Sequence, residues 1–253
     1  MIKFFRKIRQ KMLTENKFSK YLLYAIGEII LVVIGILIAL QINNWNEEQK
    51  ENIALKQNLL IIKGNIESDL VLLDSLKTVR EKLIPNYKKE QLTFFNNNFN
   101  PQTTMEAARC FDAISFRANT SGFEALEKSP YLSLINGSTI HKLLLEQKTA
   151  IETVLITENE TNNTIDDLEA RMSYITDLNI GYASLSMGED ELKKANITML
   201  EIVKFLNEMH GSILYRNIIA KASIRDLTII PQYSALIQIN KDVIAEIDKI
   251  TKD

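Results

Sequence analysis

From Tyr21 to Ile42 the chain reads YLLYAIGEIILVVIGILIALQI, an apolar run interrupted by one charged residue, Glu28. As a helix these 22 residues rise ~33 Å, enough to cross a hydrocarbon core of ~30 Å. Tyr21 and Tyr24 stand at one end and Trp45 at the other, the positions of interfacial aromatic anchors. The residues after the run, Gln41 to Trp45, offer no small-x-small cleavage site, so the pattern predicts an uncleaved transmembrane helix over 21–42.

Beyond Trp45 the apolar spacing is helical. Leu59, Ile62, Ile66, Leu70, Leu73, Leu76 and Leu83 recur at three and four, with one gap at Arg80. Pro85 is expected to close or kink that helix. Residues 86–137 are punctuated by Pro101, Asn96–Asn98, Ser129–Pro130 and Asn136–Gly137. Thr103 with Glu106 and Ser121 with Glu124 form capping-box patterns, which predicts short helices near 87–95, 103–117 and 121–128. The clearest seam runs through Ile140, Leu144, Gln147, Ile151, Val154, Glu158, Thr161, Ile165, Leu168, Met172, Ile175 and Asn179, with Ser138 as its N-cap. Its polar layers at Gln147, Glu158 and Thr161 fix register, line a wet pocket, or lie exposed. Residues 181–189 read as a connector, and a last helical stretch over ~190 to ~251 is interrupted near His210–Gly211 and Pro231. Its apolar positions include Leu200, Leu206, Ile224, Leu227 and Ile247. The fold class that follows is all-α: one N-terminal transmembrane helix, then an elongated antiparallel bundle with long coiled-coil-like helices.

Charge divides the chain in the same places. Residues 1–20 hold seven Lys and Arg against one acid, and residues 43–253 hold 23 against 30. The expected organisation is a basic cytoplasmic arm (1–20), the membrane helix (21–42), and an extracytoplasmic helical domain (43–253) with a short-helix end region at 86–137. A basic arm set against an acidic domain does not fit nucleic-acid binding. With 8 Gly and 4 Pro in 253 residues, turn-rich sheets and barrels are disfavoured.

Candidate chemistry is sparse. His141 and His210 have no ligand-spaced partner, and the chain has no Walker A loop, dinucleotide glycine pattern or nucleophile elbow. No catalytic residue, cofactor site or metal site is predicted, and Cys110 reads as a small buried core residue. Glu28 is the singular feature. It is neutralised or drawn to the headgroups, hydrogen-bonds another membrane helix, or belongs to a proton or ion path. Gly27, Gly35 and Ala39 give small-residue spacing for close helix approach. The aromatic stretch with Phe116, Phe123 and Tyr131 is either a recognition surface or a cap on the core.

The block FFRKIRQKMLTENKFSKYLLYAIGEIILVVIGILIALQINNWNE, residues 4–47, and more weakly NTSGFEALEKSPYLSLI, residues 119–135, resemble an uncharacterised family of single-pass membrane proteins abundant in Bacteroidota, domain of unknown function 6090. The resemblance implies a flavobacterial-type inner-membrane protein and transfers no catalytic residue. In such a host Asp74–Ser75–Leu76 resembles the periplasmic O-glycosylation consensus. The expected function is a non-enzymatic periplasmic scaffold or accessory protein, associating with membrane lipid and with a second copy or another membrane protein. The alternatives are a ligand-sensing bundle acting through a membrane partner and a subunit of an ion-driven complex using Glu28.

Overall fold

The computed structural model describes residues 18–252, with side chains from residue 22. The basic side chains of residues 1–20 and the Tyr21 ring lie outside the described residues. Among the described residues the chain is helical without strands. It divides into two units, residues 1–56 and 57–253, and helix α1 (Phe18–Phe95) contributes to both.

In the first unit, α1 carries the apolar run. Every residue from Ile26 to Ile42 is exposed, including Leu31, Leu37 and Leu40. α1 is the one helix among the described residues long and apolar enough to cross a membrane. So large an uncovered apolar surface is unfavourable in water and favourable in hydrocarbon.

The second unit is a helical bundle. Its long members are α1 from residue 57 onward, α5 (Thr139–Ser173) and α9 (Ile213–Lys252). Shorter helices fill the connections: α2 (Pro101–Ala107), α3 (Ser121–Glu127), α4 (Leu132–Ile135), α6 (Asn179–Ser186), α7 (Glu189–Lys194) and α8 (Met199–Gly211). The cross-helix bonds give the directions. Gln147 pairs with Asn240 and Asn162 with Arg225, so α5 and α9 run antiparallel. Lys63 pairs with Asp248 and Arg80 with Asp226, so α1 and α9 are antiparallel as well. α1 and α5 are therefore parallel. The chain returns between them through residues 112–120, an irregular strap outside any helix.

Both interior prolines are accommodated without ending their helices. Pro85 lies within α1 and Pro231 within α9, and both are exposed. A helical proline frees the carbonyl four residues back. Those residues, Glu81 and Leu227, are exposed, so water can take the carbonyls. Hence the predicted short helix at 87–95 is the end of α1. The predicted helix over 103–117 stops far earlier, as α2 followed by a short 3-10 turn over Ala108–Phe111. Asn100, not Thr103, caps α2 by accepting from the Thr103 N–H at 3.2 Å. Residues 179–186 form a helix where the sequence suggests a connector, and Gly181 there lets the Phe205 ring approach: a Cβ would lie 2.7 Å from it.

The α5 seam holds from Ile140 to Glu158, with Ser138 accepting from the His141 N–H as N-cap. At one layer Asn162 is buried in place of Thr161, and the predicted seam resumes at Ile165 and Met172, so the heptad register is kept. Ile175 lies beyond the helix end and is exposed. In the C-terminal stretch the buried face is Ile218, Ile219, Arg225, Asp226, Ile229 and Tyr233, so Ile224 and Leu227 point outward.

Candidate functional site

The most concentrated polar chemistry lies in the middle of the bundle, where α1, α5 and α9 meet the strap. Arg80 occupies the gap in the α1 periodicity and is fully buried. Its guanidinium donates to Asp226 on α9, to Glu158 on α5 at 3.3 Å, and to the Ile114 carbonyl of the strap at 2.6 Å. Glu158 also accepts from the Phe116 N–H at 2.9 Å and from the Tyr233 hydroxyl. Arg225 donates to Asp226 at 3.0 Å, to Asn162 at 3.2 Å and to the Asp112 carbonyl at 3.3 Å. Asn162 donates to the Ile114 carbonyl at 3.4 Å and to Ser115 at 3.3 Å. Two buried arginines face two buried carboxylates, so the cluster is neutral in sum. It meets the need of buried backbone groups for partners, because a strap without a sheet ladder has no other donors and acceptors. Burial, and then the contact with Glu158, raise the Tyr233 phenol well above its ordinary range despite Arg80 alongside. The cluster fixes the strap against α1, α5 and α9.

The strap leads to a cavity of about 400 Å³ between α1, α3 and α5. Ile62, Ile66, Phe123, Ile151 and Leu155 supply apolar wall. Asp69, Gln147 and the carboxylates Glu124, Glu127 and Glu152 supply polar lining, with Lys128 and Lys148. Lys148 bonds Glu127 at 2.9 Å and sits 5.7 Å from the centroid of the Phe123 ring.

At the C-terminal end of α1 His210 is buried between the Phe94 and Phe99 rings. Its Nε2 lies 3.0 Å from the Thr93 hydroxyl, which donates to the Glu90 carbonyl at 2.7 Å. Buried Glu90 accepts from Thr104 at 2.8 Å. Burial, then Arg216, lowers the His210 pKa; burial raises that of Glu90. The two act in opposite directions. A histidine held below its unfolded value of ~6.5 contributes stability above that pH and loses it on acidification. A carboxyl held above ~4.3 takes up its proton in the native state first, and so favours the fold as pH falls. Chemical denaturation followed from about pH 7 down to about pH 4 should therefore show a flatter acid loss in His210→Gln than in the natural protein, and a steeper one in Glu90→Gln.

Residues 28–143 match DUF6090, a family of unknown function. No curated protein and no solved structure matches the chain. The DUF6090 match takes in Arg80, the strap and the cavity residues of α1 and α3; it ends before Glu158, Arg225 and Asp226.

The candidates from sequence are scattered. Glu28, Gly27, Gly35 and Ala39 are exposed on α1, with nothing within 4 Å of a Cβ placed at either glycine. Tyr24 and Trp45 are exposed as well. Phe116 is no recognition surface: it is fully buried, edge-on to Tyr233. Phe123 is buried against the cavity and Tyr131 is half-buried, so the aromatic stretch closes the core. Ser75 is exposed on α1. Cys110 is fully buried, and burial raises its thiol well above the ordinary range. Among the described residues no three His, Cys, Asp or Glu side chains converge to hold a metal. The sequence signal that would have found the central cluster is a charge on a core face: Arg80 in one periodic run and Glu158 in another.

Proposed function

We propose that this protein is a membrane-anchored helical module that acts by binding, as a scaffold or accessory subunit of a membrane assembly. The observation that carries the reading is the uncovered apolar surface of α1 between Ile26 and Ile42. The seven basic residues of the arm favour an N-terminus in the cytoplasm, which hands residues 43–253 to the periplasm of a Gram-negative, Bacteroidota-type cell. Gly27, Gly35 and Ala39 leave room for a second copy or another membrane helix to approach closely, and Glu28 beside them would hydrogen-bond that neighbour.

Two measurements test this. A C-terminal alkaline phosphatase fusion should be active, and activity confined to a cytosolic reporter at the same position would overturn the orientation. Gly35→Cys in a Cys110→Ala background should crosslink in native membranes, to itself or to a recoverable partner. A monomer alone would refute association through this helix. Glu28→Gln separates a plain scaffold, which it leaves working, from a subunit of an ion-driven complex, which it disables.

The cavity favours a second reading, in which the domain senses a small ligand and passes the signal to a membrane partner.

A further inference from the structure

We infer that the cavity between α1, α3 and α5 is a binding site for a small organic amine carrying an apolar body, with Asp69 as the residue that recognises the ammonium group. The inference rests on the ligand-binding reading and is independent of membrane orientation.

Asp69 is the decisive residue. It projects from α1 into the cavity lining with 6% of its surface exposed. Both of its oxygens accept from one donor, the Asn119 N–H of the strap, at 3.1 and 3.0 Å. A carboxylate has about four lone-pair sites, so one shared N–H leaves most of its acceptor capacity unused. Among the described residues no lysine, arginine or histidine pairs with it within 4.0 Å, whereas the other buried carboxylates on α5 and α9, Glu158 and Asp226, each meet an arginine. Burial raises the Asp69 pKa, the mark of a desolvated carboxyl without a cation beside it.

The rest of the lining agrees in sign. Glu124, Glu127 and Glu152 add three carboxylates, against Lys128 and Lys148. Lys148 is already engaged by Glu127, and Glu124 accepts from the Thr120 hydroxyl at 2.6 Å. Gln147 donates through Nε2 to Asn240 at 2.7 Å, which leaves its amide oxygen as an acceptor. Lys128 stands exposed in the lining, and the Asn65 and Asn119 amides already donate to Ser121 and Asn65. The buried groups, Asp69 and the Gln147 amide oxygen, are acceptors, and an ammonium group brings three donors without an acceptor. The apolar body has a wall waiting in Ile62, Ile66, Ile151 and Leu155, and an aromatic face in Phe123. A volume of about 400 Å³ lies in the range of small-molecule sites. An organic anion would meet Asp69 and three further carboxylates, so charge selects against it.

Benzylamine, benzyl alcohol and benzoate share one ring and differ in charge, which makes them suitable probes. Full-length protein in detergent should bind benzylamine, read by equilibrium dialysis and by a rise in melting temperature, and bind benzyl alcohol and benzoate roughly tenfold or more weakly, the worth of one charge-assisted hydrogen bond. Asp69→Asn keeps an acceptor for the Asn119 N–H and removes the charge; it should lose that preference for the amine while keeping its helical content. Leu155→Trp, which fills the cavity from its wall without touching Asp69, should weaken all three probes, and it decides the matter if Asp69→Asn does not fold. Equal binding of the alcohol or the anion, or unaltered amine binding by Asp69→Asn, would overturn the amine assignment while leaving a ligand site. Absence of binding by all three would remove the ligand-binding reading with it.

Discussion

Arg80→Met should destabilise the helical domain by about 3–5 kcal/mol, the usual result of stripping one partner from a buried charge cluster. Methionine fills similar space, so the loss is electrostatic. Asp226 and Glu158 would remain buried with two negative charges and only Arg225 to balance them. The Ile114 carbonyl would lose its 2.6 Å donor. For a domain near 200 residues each 1 kcal/mol moves the melting temperature by ~2–4 °C, so a fall of roughly 10 °C is expected by circular dichroism. Removing one charge of each sign, as Arg80→Met with Glu158→Gln, should recover part of the loss, because Arg225 and Asp226 then remain as a balanced pair. Fewer charges would then be held out of water, and the amide oxygen that Glu158→Gln introduces would still accept from the Phe116 N–H. A single variant within 1 kcal/mol of the natural protein would show that water reaches these groups.

The second large effect concerns α1. Ile30→Arg with Ile34→Arg places two cations on one face of the apolar run, one helical turn apart. At mid-span each exchange of an aliphatic residue for arginine costs about 3–4 kcal/mol of insertion free energy, so ~6–8 kcal/mol together. The natural chain should stay in the membrane pellet after an alkaline carbonate wash, and the double variant should leave it. Retention of the variant would mean that the run is not what holds the protein there. Ile30→Leu with Ile34→Leu is the control.

How far these features could be read from sequence depended on whether local or distant forces decided them. The apolar run and the α5 seam through Glu158 were legible because periodic burial is written in consecutive turns. The burial of Asn162 in place of Thr161 was not, since the two are equally polar; Arg225, Ser115 and the Ile114 carbonyl decide between them from other elements. Likewise FDAISFRANTS carries no proline or glycine to stop a helix. Its non-helical form is imposed by Arg80, Glu158 and Asp69, which take its backbone groups from outside. Pro85 and Pro231 misled for the converse reason: the interruption each predicts depends on whether the freed carbonyl is wet, and exposure is a tertiary property. The outward turn of Ile224 and Leu227 is the counterpart of the inward turn of Arg225 and Asp226. A hydrophobicity pattern reads such a stretch one position out of phase.

Holding the strap from both sides has a consequence for how the chain is divided. Its backbone partners come from Asp69 and Arg80 before it and from Glu158, Asn162 and Arg225 after it, the last more than a hundred residues downstream. A fragment ending at residue 143 would possess the segment and half of its grip, and would leave the rest of those amides and carbonyls to water. The boundary of a homology match and the boundary of a self-sufficient folding unit are thus different places in this protein, and a fragment meant to fold alone must carry both flanks of that segment, from α1 through α9.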